Sequence, residues 1–301
     1  MIRDFSRDRN RGILIQSDVN CDVFTGTVDV WSDFAHHRSN TIIFVDEDID
    51  FMNTLQFADV IKNSDNYFVL FTRDPLTNIP YSIREIYGIR TSGKYHFPKQ
   101  IYHEFYPQYD IKKCSDDELK TDILIVEDEK AGFLFYERVL NGIKCVGAGG
   151  NSKILKKVME AGRDKSRITV IADGAAFGAY IRELVAYVDF RTDVALYFPE
   201  SFEWMLLKSG VVADSSIDDI LAHPEEYIDS REYFSWERYF TDLLKQATEN
   251  NSFMHYDKDR LPDFYTGDKQ KEKILNVIPD ELSMQVSPIC NRDGEKYAYV
   301  T

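Results

Sequence analysis

Two short apolar runs, Ile123–Val126 (ILIV) and residues 168–172 (ITVIA), each end directly on an acidic residue, Glu127 and Asp173. Runs of four or five aliphatic residues without polar alternation are too short for helices. They read as strands buried on both faces, the environment of a parallel sheet covered by helices. Helical spacing over 133–140, 152–160 and 179–188 fills the gaps, and runs at 143–146 and 194–198 supply two further strands. The first half repeats the theme, with apolar runs at 12–15, 41–45 and 67–71 and a helical pattern at 51–61 between the last two. Strand alternating with helix defines the fold class as α/β, here two mostly parallel-sheet α/β units.

The 301 residues suit two domains at about 150 residues each. The polar run KKCSDDELKTD at 112–122 marks the boundary, giving units at 1–115 and 116–215 and a helical, then irregular C-terminal extension at 216–301. In that extension Trp236, Tyr239, Phe240, Leu243 and Leu244 form one apolar helix face. After Tyr81, SIREIYGI and KYHFPKQIYHEFYPQY read as a hairpin or a connecting segment, and residues 291–294 as a turn. Apolar residues make up 44% and aromatics 14%, enough for a core, while no run reaches the roughly 20 apolar residues of a membrane span. A net charge of −15 argues against non-specific coating of nucleic acid, which runs on phosphate neutralisation, but leaves room for a local basic groove or a bridging metal. Cys21, Cys114, Cys145 and Cys290 are scattered, without the pairing of a zinc knuckle or a disulfide framework. The charged start MIRDFSRDRNRG lacks a signal-peptide core. A reduced, cytoplasmic protein is expected. His36 and His37 diverge as neighbours on any element, His96 and His103 lie among aromatics, and no GxSxG elbow or Cys-His pair is present.

The segment TIIFVDED places Asp46 and Glu47 after a strand, and the next strand, NYFVLFTRD, leads to Thr72 and Arg73. Over about residues 10–90 this order resembles the Walker B and sensor-1 strands of AAA-type P-loop ATPases, with Asp46 and Glu47 in the Walker B positions and Thr72 or Arg73 at the sensor. Such ATPases need GxxxxGKS/T after the first strand to cradle phosphates, and none precedes Asp46. GIRTSGKY, Gly88 to Tyr95 with Lys94, follows the Walker B strand and carries Tyr95 where Ser or Thr belongs, so it reads as a turn. Either this unit is a degenerate ATPase scaffold or its phosphate loop lies upstream of Met1. ATP is therefore not expected as a ligand of these residues by themselves.

The second constellation runs from Glu127 through the glycine-rich turn GAGGNSK at 147–153 to Asp173 in DGAAFG. The order resembles the Toprim domain of type IA topoisomerases, DnaG-type primases and overcoming-lysogenization-defect nucleases. The resemblance implies that Glu127 is the acid-base glutamate, Gly147 or Gly149 the middle glycine, Asp173 the first metal-binding aspartate and Gly178 the closing glycine. Ala175 stands where the second aspartate belongs, and Glu203 in PESFEWML is a candidate replacement ligand, with Asp128 and Glu129 close by. Hard carboxylate oxygens suit Mg²⁺ or Mn²⁺, and Gly149, Gly150, Asn151, Ser152 and Lys153 open a helix whose amides suit a phosphate. Each carboxylate taken singly is also an ordinary solvated strand end.

The expectation is Mg²⁺- or Mn²⁺-dependent cleavage or rejoining of phosphodiester bonds in nucleic acid, catalysed by Glu127 and Asp173 with Glu203 as a further metal ligand. Pairing of ATPase-like and Toprim-like parts is similar to overcoming-lysogenization-defect nucleases and implies phage defence. The alternatives are a scaffold, acting as a homo-oligomer or with a protein partner, in which both sites have decayed, and an ATPase completed from upstream.

Overall fold

The computed structural model describes residues 20–47, 49–91, 103–109, 112–113, 120–164, 166–228, 232–279, 282, 284–290 and 296–300. The expected strand at 12–15, the turn at 291–294, Cys114, His96 and the Lys94–Tyr95 end of the GIRTSGKY turn lie outside them. The chain forms α/β structure in two compact units, one comprising Met1–Pro80, Tyr87–Tyr106 and Asp229–Phe234, the other Tyr81–Ile86, Pro107–Ile228 and Ser235–Thr301.

In the first unit, β1 (Asn20–Phe24), β2 (Thr41–Val45) and β3 (Tyr67–Leu70) form a parallel sheet in that order. The crossovers are helices α1 (Val28–His36) and α2 (Leu55–Lys62). The core is aromatic: Trp31 stacks on Phe57 at 4.7 Å and meets the Phe24 ring edge-on at 4.8 Å. Strand β1 has no sequence-based counterpart among the expected elements, because NCDVF carries two polar residues and buries fully only Phe24. The stretch after Tyr81 contains a hairpin of β4 (Tyr87–Thr91) and β5 (His103–Pro107).

The second unit is built on a five-stranded sheet. Its strands are β6 (Lys112–Lys113), β7 (Ile123–Val126), β8 (Lys144–Gly147), β9 (Ile168–Ile171) and β10 (Val194–Tyr197), in the order β6-β10-β9-β7-β8. All neighbours are parallel except β6, which pairs antiparallel with β10. Helices α3 (Ala131–Val139), α4 (Asn151–Ala161) and α5 (Gly178–Val188) are the crossovers. Every residue of β7, β9 and β10 is buried, as the unbroken apolar runs require, and successive side chains enter opposite cores. Ile123 and Ile125 join Ile154, Val158, Ile181 and Leu184 of α4 and α5. Leu124 and Val126 face the other way, into a core with Phe135, Phe202, Phe240 and Leu244. That second core is closed by the C-terminal part of the chain: α6 (Phe202–Lys208), α7 (Ser215–Ala222), α8 (Trp236–Thr248) and α9 (Asp268–Leu275). A final hairpin, β11 (Met284–Cys290) and β12 (Lys296–Val300), shifts register between Gln285 and Ile289, the stretch that holds Pro288, a residue unable to donate to the ladder. Among the described residues no helix is long and apolar enough to cross a membrane.

Candidate functional site

In the order β8-β7-β9-β10 the chain first steps to one side of β7 and then crosses to the other. Such a switch point, here between β7 and β9, opens a crevice at the carboxyl ends of the strands. Glu127 directly follows β7 and Asp173 follows β9 after one residue. Val126 is in register with Ile171, so both acids reach the same edge, and the backbone N–H of Asp173 donates to Glu127 Oε2 at 2.8 Å. Among the described residues no donor is hydrogen-bonded to the Asp173 carboxylate.

Glu203 arrives from the next strand. After Asp173 a tight turn, Gly174–Ala176, is fastened to the exit of β10, with Gly174 N–H donating to Pro199 O (2.6 Å) and Ala175 N–H to Glu200 O (3.2 Å). Ser201 then caps α6, its hydroxyl accepting from Trp204 N–H at 3.1 Å, and Glu203 in the first turn is 1% exposed. A cavity of about 20 Å³ is lined by Glu127, Asp128, Asp173, Glu203 and Lys258, room for one water-sized occupant. Glu203 Oε1 accepts from the Tyr256 hydroxyl at 2.8 Å and lies 3.5 Å from Lys258 Nζ, while Oε2 is buried without a hydrogen-bond partner. Asp128 is committed elsewhere: its carboxylate accepts from Phe133 N–H (2.9 Å) and Gly132 N–H (3.3 Å) at the start of α3. Neighbouring Glu200 also points away, pairing with Arg84 at 3.1 Å.

The cluster's electrostatics follow from crowding carboxylates at a covered sheet edge. Burial pushes Glu127 up to about 8, with Glu237 and Asp128 adding repulsion and the Asp173 N–H opposing it. Burial, then Glu127, Glu237 and Glu203, hold Asp173 well above the usual carboxylate range. For Lys258 burial disfavours the ammonium, but Glu203, Glu237 and Asp173 outweigh it and the net shift is upward. Shifts of this size, from desolvation together with defined charged neighbours in a crevice, are characteristic of functional sites.

The glycine-rich turn lies at the end of β8. Gly149 and Gly150 have φ of 73° and 120°, conformations open to glycine and strained for other residues, and they turn the chain into α4. Gly147 is required by proximity, since a Cβ there would stand 2.9 Å from the backbone O of Asp128 and 2.7 Å from Glu129 Cγ. Ser152 and Lys153 are exposed in the first turn of α4, and Asn151 donates to Ala176 O at 3.3 Å. This ties the turn to the one that follows Asp173. Gly178 is likewise closely covered: its N–H donates to Tyr81 O at 3.0 Å.

In the first unit Glu47 and Arg73 meet at the ends of β2 and β3 as a two-point ion pair, 2.7 and 2.9 Å. The hydrogen bond from Arg73 lowers the Glu47 pKa. Asp46 accepts from Glu47 N–H (2.8 Å) and the Thr72 hydroxyl donates to Asp74 O (2.8 Å). Glu47, Thr72 and Arg73 border an open cleft of about 390 Å³. The strand order thus brings the Walker-B-like and sensor-like residues together.

Sequence reasoning missed Glu237, Tyr256 and Lys258. Glu237 is the second residue of α8, and the loop after that helix is fixed by Thr248, whose hydroxyl accepts from Tyr256 N–H at 2.9 Å. Lys258 Nζ donates to Glu237 Oε1 at 2.6 Å. The only sequence signal for Tyr256 and Lys258 was the dense polar-aromatic stretch HYDKDRLPDFY, and Glu237 had none beyond its place at the start of an amphipathic helix. Among the described residues no three His, Cys, Asp or Glu side chains already form a metal cage. The donor set nevertheless suits Mg²⁺, which commonly takes one or two carboxylates and keeps several waters, and the Glu203 oxygen is a buried acceptor with no hydrogen-bond donor. Compared with family models, curated proteins and solved structures, the chain matches none.

Proposed function

We propose that this chain is a Toprim-like enzyme that cleaves phosphodiester bonds in nucleic acid with Mg²⁺ or Mn²⁺. The observation that carries the reading is the partnerless, buried Glu203 Oε2 in a cavity shared with Glu127 and Asp173 at the switch point of the sheet. Asp173 and Glu203, with Glu127, would hold the ion. A divalent cation bound there supplies polarisation of the phosphodiester and a more acidic water. Glu127 Oε2 is occupied by the Asp173 N–H, which leaves its other oxygen to carry a proton to or from the reacting oxygens. The positive-φ turn at Gly149 and Gly150, with Asn151, Ser152 and Lys153, would receive a neighbouring phosphate. Exposed Lys153 and Lys156 and half-buried Lys157 on α4 extend that cationic surface on an otherwise acidic chain, and the resemblance to overcoming-lysogenization-defect nucleases extends the proposal to phage defence.

The test is cleavage of single-stranded and duplex DNA and RNA by the purified chain in Mn²⁺, beside Glu127→Gln, Asp173→Asn and Glu203→Gln. Activity reduced by about 100-fold or more in the folded Glu127 and Asp173 variants supports the reading, the scale expected for loss of a proton-transfer group. Cleavage unchanged by all three refutes it.

A second reading, a binding or scaffold protein with a neutralised acidic cluster, is favoured by Lys258, whose ammonium already sits against Glu203 and Glu237. An absence of cleavage together with an absence of Mn²⁺ binding would select it. For the first unit, the Glu47–Arg73 pair suits an ATPase half only if a phosphate loop is supplied from outside this sequence.

A further inference from the structure

Lys258 is no floating surface lysine. Its loop begins at the buried Thr248–Tyr256 hydrogen bond, tightens where Asp257 Oδ1 accepts from Asp259 N–H at 2.9 Å, and is held on its outer side by an Asp259–Lys130 ion pair of 2.7 Å. The ammonium is delivered to a fixed place among acids, 2.6 Å from Glu237 Oε1 and 3.5 Å from Glu203 Oε1. Glu203 is divided by this arrangement. One oxygen faces Lys258 and the Tyr256 hydroxyl, and the other is buried with no partner in the cavity that Glu127 and Asp173 line.

Two catalytic metals stand roughly 3.5–4 Å apart and demand bridging and flanking carboxylates. Here the cavity is about 20 Å³, and the residue between Gly174 and Ala176 is a buried alanine, 5% exposed, which contributes no oxygen. The cluster therefore has space and a free acceptor for one cation, with a second positive charge already built in. We infer that Lys258 is the resident counter-cation of this cluster and restricts it to a single divalent ion. This rests on the metal-dependent reading of the same site. The like charge of the ammonium opposes the incoming ion, so Lys258 sets the affinity as well as the number of ions bound.

The experiment is calorimetric titration of the metal-free full chain with MnCl₂, alongside Lys258→Met and Lys258→Gln, with folding checked by circular dichroism. Met keeps length and removes charge, and Gln retains a donor for Glu237 should the Met variant fail to fold. The wild type is expected to bind one Mn²⁺ per chain, and a folded Lys258 variant to bind it about tenfold more tightly or to accept a second ion. Binding by a Lys258 variant where the wild type shows none would mean that the ammonium excludes the ion altogether, and overturns the inference of a single-ion site. Two ions on the wild type, or a folded variant that binds no more tightly and no more ions, overturns the inference while leaving the metal reading intact. No binding by the wild type or by a folded Lys258 variant overturns both.

Discussion

Glu127→Gln should stabilise the metal-free protein, and by an amount that grows with pH. The carboxyl has a folded pKa of about 8 against an ordinary value of 4.5. An acid whose pKa is raised by folding weakens the fold wherever the unfolded chain would ionise it, so the penalty is absent below pH 4.5, grows from there to about 8 and is constant above. At about 1.4 kcal/mol per pKa unit the full effect at pH 7 is about 3 kcal/mol. Glu127 keeps partial contact with solvent, and screening reduces the expected gain to about 1–2 kcal/mol. Glutamine preserves an acceptor for the Asp173 N–H, so the substitution removes the charge without orphaning the donor. In EDTA, a gain of that size raises the melting temperature by about 2–8 °C at pH 7–8, and the wild type and variant should converge near pH 4.5. Circular-dichroism melts across this range are the assay. A variant that is no more stable than wild type at pH 8, or whose advantage persists undiminished at pH 4.5, would refute the claim that burial of this carboxyl strains the fold.

Two further outcomes bear on the frame that holds the site. Thr121 and Thr169 share a buried hydroxyl–hydroxyl bond of 2.6 Å, so Thr121→Val should cost about 1–3 kcal/mol by taking that bond from the buried Thr169 hydroxyl, whereas the double Thr→Val change should cost less than the two single changes summed in denaturant melts. The two-point Asp122–Arg167 pair, with both side chains 44% exposed, holds Asp122 down to about 2 through the hydrogen bonds from Arg167. Its contribution is fully present above pH 3.8 and lost as pH falls through about 2, so Asp122→Asn should cost under about 1 kcal/mol at pH 7 and only a small part of that at pH 2, and an equal cost at both pH values would contradict the assignment.

The β7, β9 and β10 strands were legible because burial on both faces leaves an apolar run with little alternation, and runs of four or five residues are too short for a buried helix. Their acids were legible for the same reason: Glu127 and Asp173 are the first charged residues the chain meets on leaving a fully buried layer. Strand β1 was not, since NCDVF is a thin edge strand with only Phe24 fully buried, and local composition is indifferent to pairing that the neighbouring β2 imposes. The acidic centre itself was legible only in half. Glu127 and Asp173 lie at strand ends and Glu203 opens the helix that directly follows the next strand, where topology converts sequence order into spatial order. Glu237, Tyr256 and Lys258 come from a helix start and a loop whose position depends on a core assembled from α3, α6 and α8, and no local pattern encodes which edge such a loop will cover. The consequence is chemical. Read from the strands alone, the site is a cluster of bare carboxylates that calls for cations, and only the folded chain reveals that one of those cations is covalently its own.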